Sequence, residues 1–269
     1  NHEYENSEVK RRNHDVAYFN FFDPPINAEA GGRPSGTEAY YSFDYGNIHF
    51  IALDSYIIET QASTEYLLYN TAGPQVQWLI QDLQANTKEW TIVYFHHPPY
   101  TMGSHNSDTE DDLRLIRQNV VVPILEQYKV DLVLTGHSHG YERSKLMKGH
   151  NGLENTFVAA THHLSASSGK YDATANPCPY IKNSPNTDGT VYVVAGSAGQ
   201  LGGQQGNYPH NAMYYSNTST GGSLILEVEG NRLDAKWLAS NGSILDQFTM
   251  MNDVNNTTPI NINAGQSVT

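Results

Sequence analysis

Two short apolar runs, each ending in histidine, constrain the fold of this chain more than anything else in it. Residues 90–95, Trp-Thr-Ile-Val-Tyr-Phe, stop at His96-His97-Pro98-Pro99, and Asp131-Leu132-Val133-Leu134-Thr135 ends directly in Gly136-His137. Runs this short, rich in β-branched and aromatic residues and lacking polar alternation, read as strands buried on both faces. Between them residues 109–128 read as a helix, with Thr109 as its cap and acidic residues in its first turn. The order strand, helix, strand implies a mixed or parallel sheet with helices outside it.

The rest of the chain fits an α/β reading. Residues 40–54 carry aromatic and β-branched runs around Gly46-Asn47, the pattern of a hairpin. Pro74 followed by Val76, Leu79, Ile80 and Leu83 predicts an amphipathic helix over 74–85. A further strand, 191–195, runs into Gly196-Ser197-Ala198-Gly199, and residues 222–249 read as an antiparallel meander turning at Gly230-Asn231 and Asn241-Gly242. Residues 4–38, polar and rich in Gly, Pro and Asn, read as a long surface excursion.

Composition narrows the function. A net charge of −13 argues against a nucleic-acid-binding surface or an anionic-membrane anchor. Few charged residues (16%) beside abundant Tyr, Asn, Ser, Thr and Gly suit an exported protein. The single Cys178 forms no internal disulfide and rules out a thiolate zinc cluster. No run has the apolar length of a membrane span. Histidine, with 12 copies, is the informative residue.

Gly136-His137-Ser138-His139 carries the strongest chemical signal. Extended residues two apart share a side, so His137 and His139 can present both imidazoles to one site, with Gly136 allowing a tight path. Neutral imidazole suits zinc, iron or manganese. His96 has the same strand-end context; His97 points the other way in an extended chain, so one ligand is expected there. Asn1 offers an amide oxygen to a metal and His2 a proton near neutral pH. His105 can reach the substrate from the loop that follows Met102-Gly103-Ser104. His162 and His163 read as loop residues without a role.

Together, Asn1-His2-Glu3, His96 before Pro98, and Gly136-His137-Ser138-His139-Gly140-Tyr141-Glu142-Arg143 resemble the calcineurin-like metallophosphoesterase superfamily, and within it purple acid phosphatase-type enzymes. The resemblance covers residues 1 to about 250 and implies a layered sandwich of mixed β-sheets flanked by helices. It implies that Asn1, His96 and His137 bind one metal ion and His139 a second, the ions being iron, zinc or manganese. His2 would stabilise the transition state or protonate the leaving group. The implied activity is two-metal hydrolysis of phosphate esters, chiefly monoesters, by a secreted protein. The family's upstream Asp motifs and its Tyr ligand have no counterpart here. The chain is therefore expected to be the later part of a catalytic domain whose first strands are missing. Residues 251–269 resemble a linker entering an immunoglobulin-like module. The rival expectations are a non-catalytic secreted scaffold for adhesion or glycan binding, and a one-metal protein built on Asn1, His96 and His137.

Overall fold

The computed structural model describes residues 7, 9–10, 15–56, 67–170 and 178–254. Asn1, His2 and the segment 255–269 lie outside the described residues, and so do most of residues 4–14. In chain order the strands are β1 (Tyr41–Tyr45), β2 (Ile48–Ala52), β3 (Trp90–Tyr94), β4 (Leu132–Thr135), β5 (Tyr141–Ser144), β6 (Tyr180–Lys182), β7 (Val191–Ala195), β8 (Met213–Asn217), β9 (Gly222–Glu229), β10 (Arg232–Ala239) and β11 (Ile244–Asn252). They form a seven-stranded sheet ordered β1-β2-β3-β4-β7-β5-β8 and a four-stranded sheet ordered β6-β11-β10-β9.

Strands β2, β3, β4 and β7 run parallel, so their carboxyl ends share one edge. That edge carries both histidine motifs, as open α/β sheets commonly place ligands. The strands are largely apolar because both faces are covered. Ile51, Val93 and Val133 face the helix Pro74–Ala85 through Val76, Leu79 and Leu83, and the following helix through Val120, Val121 and Ile124. Trp90, Ile92, Leu132, Val191 and Val193 face the second sheet through Leu233, Ala235, Trp237, Phe248 and Met250. The result is helix, sheet, sheet in three layers.

The hairpin, the helix 74–85 and the meander form as the sequence predicts. The helix expected over 109–128 differs. It begins at Asp111 after Glu110, with no side-chain cap from Thr109, and Arg117–Leu125 is π-helical. Pro123 lies inside that stretch and has no N–H to donate, so the ladder is interrupted there and bonds such as Glu126 N to Val121 O (3.0 Å) span five residues. His162, expected in a loop, instead closes the short helix Ala159–His162. β8 had no clear signature, and its five residues are all half-buried. Within the expected surface excursion lies the helix Ala17–Phe21. No described helix is long and apolar enough to cross a membrane.

A buried ion cluster fastens the hairpin to the helical layer. His49 on β2 stands 2.8 Å from Asp44 Oδ1 and 2.9 Å from Asp82 Oδ2 on the helix Pro74–Ala85, and Ser42 donates to Asp82 at 2.9 Å. Burial opposes charge on His49, but the hydrogen bonds to Asp82 and Asp44 outweigh it and raise its pKa above 6.5. Stability from this group is therefore fully present below its unfolded pKa and lost as pH rises through the folded value. We expect the gap in urea midpoint between the wild type and His49→Leu to be widest near pH 6 and to shrink as pH rises above the ordinary histidine range. A constant gap would show that His49 contributes packing alone.

Candidate metal centre

Local backbone chemistry brings the two motifs together. β3 and β4 are neighbours, and the Gly136 amide donates to the His96 carbonyl at 3.0 Å, joining the two strand exits. The tight path is taken by His137 rather than by Gly136. His137 has φ +62°, a left-handed conformation that disfavours a residue with a Cβ, whereas an added Cβ at Gly136 would meet nothing closer than 3.7 Å. Gly196, after β7, is required by space, because a Cβ there would fall 2.1 Å from the Ser138 carbonyl oxygen.

The turn aims the His137 ring at His96, whose Nε2 lies 3.1 Å from His137 Nδ1. An ion with metal–nitrogen bonds of about 2.0–2.1 Å holds neighbouring ligand nitrogens roughly 3 Å apart, so the pair already has the spacing of two ligands on one ion. The His137 ring is also in the right protonation state. Burial, followed by the neighbouring His97, His105 and His96, drives the pKa of His137 down to about 2. A neutral imidazole keeps a lone pair for a cation. These residues fit a metal.

His97 comes nearer than extended geometry predicts, because the chain turns after Phe95. Its ring centroid lies 4.5 Å from that of His137, and one nitrogen from each of His96, His97 and His137 lies within 4.8 Å of the other two. Hydrogen-bond accounting nevertheless commits it elsewhere. Ser55 Oγ accepts from the amides of His96 and His97, both at 3.1 Å, so its own proton goes to His97 Nδ1 at 2.9 Å. Nε2 then carries the ring proton and faces Asp112 at 3.6 Å. Burial, then the nearby His96, lowers His97 to about 3.

His105, on the loop after Ser104, lies beside His137. Its ring stacks on His137 with centroids 3.8 Å apart, and its Nδ1 lies 2.7 Å from Glu110 Oε2. Burial raises Glu110, but the bonds from His105 and from the Asn106 amide outweigh it and hold the carboxyl below its usual range. Glu110 is therefore a carboxylate, and His105 Nδ1 is the donor. His105, Glu110 and His137 form a second group able to hold a cation. Sequence reading missed Glu110 and Asp112. The available signal was their placement at the start of the helix that follows the His105 loop.

His139 does not join either group among the described residues. His137 is left-handed, so the backbone there is not the extended one on which a two-residue alternation rests. The His139 amide donates to Ser104 Oγ at 2.9 Å and its carbonyl accepts from the Gly202 amide at 2.8 Å.

The calcineurin-like phosphoesterase family model matches residues 1–141, more than half of the chain. The chain belongs to the calcineurin-like phosphoesterase family. Purple acid phosphatase 23 of Arabidopsis thaliana is 29% identical over 187 residues, 68% of this chain and 30% of that protein. The uncharacterised protein Rv2577 of Mycobacterium tuberculosis is 27% identical over 192 residues, 68% of this chain and 31% of its own length. The chain thus spans about a third of these relatives. Among solved structures, purple acid phosphatase PPD1 from yellow lupin superposes with a TM-score of 0.54 at 19% identity, over 87% of this chain and 34% of that one. That match supports the layered fold.

Proposed function

We propose that the protein to which this chain belongs is an exported hydrolase of phosphate esters, monoesters above all, working at a two-metal centre. The observation that supports this most is the 3.1 Å approach of His96 to a neutral His137 at the carboxyl ends of adjacent parallel strands. In this reading His96 and His137, with Asn1 by resemblance, hold one ion, and His139 contributes to the other. Bound there, the ions would supply Lewis acidity toward the phosphoryl oxygens and a water acidified enough to attack at neutral pH. His105 works from above: Glu110 fixes its Nδ1 proton, which orients the ring toward a phosphoryl oxygen or the departing one. His2 is the resemblance's candidate for the leaving-group proton. A relative from Allium cepa, 33% identical over 48% of this chain and 24% of its own, is named for phosphoenolpyruvate, a monoester, which favours that substrate class.

The test is hydrolysis of an aryl phosphate monoester by the complete protein, alongside metal analysis before and after chelation. Two metal ions per chain, with turnover lost on chelation and regained on adding metal back, are expected. A folded, metal-free and inactive protein would instead make it a scaffold.

A further inference from the structure

We propose that Glu142, which touches neither the candidate ligands nor the substrate side of the site, is a positioning residue that latches the loop Thr101–His105 onto the strand exit bearing His137 and His139. The inference rests on the phosphoesterase reading. Glu142 lies on β5 and is completely buried. A buried carboxyl needs hydrogen-bond partners, and Thr101, Met102 and Gly103 of this loop supply them. Thr101 Oγ1 hydrogen-bonds Glu142 Oε2, and the Met102 amide donates to Oε1 at 3.4 Å. Thr101 Oγ1 also lies 2.9 Å from Ser138 Oγ, in the middle of the histidine motif, and accepts from the Gly103 amide at 3.2 Å.

The loop is fixed to that exit at two further points. Ser104 Oγ accepts from the His139 amide at 2.9 Å, while an added Cβ at Gly103 would fall 2.5 Å from Ser138 Oγ and 3.4 Å from Glu142 Oε2. Glycine is therefore the residue that permits this approach. Gln205 closes the far side, its amide donating to the Met102 carbonyl at 2.9 Å and its side chain to the Ser104 carbonyl at 3.0 Å. The next residue in the loop is His105. The ring position of His105 over His137 is thus set by a chain of contacts that begins at Glu142.

Glu142→Ala and Thr101→Val should each lower kcat/KM for an aryl phosphate by about 10–100-fold, the usual cost of losing an orienting partner, with metal content unchanged. Glu142→Gln, whose amide oxygen still accepts from Met102, should recover part of the loss. In a His105→Ala background the same replacements should cost almost nothing further, because residues acting through one another are not additive. A full additional loss in that background, or no loss in the wild type, overturns the proposal. If Glu142→Ala does not fold, Thr101→Val carries the test. Should the wild type prove inactive on phosphate esters, the phosphoesterase reading falls by itself. The latch is then judged by amide exchange at Met102 and Gly103 and by the His105 ring resonances in Thr101→Val, where faster exchange and shifted signals support it and unchanged ones overturn it.

Discussion

His137→Gly is expected to lose the bound metal and to lower phosphate-ester hydrolysis by more than about 100-fold, beyond what removal of an orienting partner costs. Glycine is the informative replacement. At φ +62° any residue with a Cβ is strained, and alanine would combine the loss of a ligand with that strain. Glycine removes the imidazole and relaxes the backbone, so the fold should persist while the site fails. Metal content by mass spectrometry and a thermal melt report the two effects separately. Full metal occupancy in His137→Gly would remove His137 from the ligand set and with it the case for this centre.

Asp246→Ala should destabilise the protein by about 3–5 kcal/mol, the range for breaking a buried charge pair. Asp246 on β11 and Arg143 on β5 are both fully buried, and they join the two sheets through bonds of 2.6 Å from Nε and 3.0 Å from Nη2. Tyr141 donates to the same carboxylate at 2.9 Å, and Lys170 approaches it at 2.9 Å. Burial opposes ionisation of Asp246, but Arg143 and then Lys170 overcome it and hold the carboxyl below its usual range. Removing the carboxylate strands a guanidinium among Ser168 O, Tyr180, Tyr214 and Phe248. The double replacement Arg143→Met with Asp246→Leu should recover most of the loss in a denaturant titration, since apolar pairs often substitute for buried ions at little cost. If Asp246→Ala lost less than about 1 kcal/mol, the pair would not be what holds the sheets together.

The Tyr-Glu-Arg that follows the histidine motif illustrates how reading and structure divide. Its three residues sit consecutively on β5 and alternate in direction. Tyr141 and Arg143 turn to the second sheet and Glu142 to the loop 101–104. Strand alternation is a local property, but the partners lie 40 to 105 positions away in sequence. No local pattern announces such distances. Glu110 is a local case by contrast: it looked like an ordinary acidic residue near a helix start and proves to be the partner of His105, five positions before it.

The sequence alone determined the strands β3, β4 and β7 and where they end, because burial on both faces demands nearly unbroken apolar runs. It determined the hairpin, the helix opened by Pro74 and the meander through turn chemistry and periodicity. Only the tertiary structure decided which groups His96, His97, His105 and His137 meet. A left-handed residue at 137 turned its ring toward His96, while two positions on the His139 backbone is held by Ser104 and Gly202. Whether His97 could serve as a ligand was decided by Ser55, whose hydroxyl had two backbone amides to accept and one proton left to give. Hydrogen-bond capacity is exhausted by partners that folding brings together, and a linear sequence does not record which ones arrive.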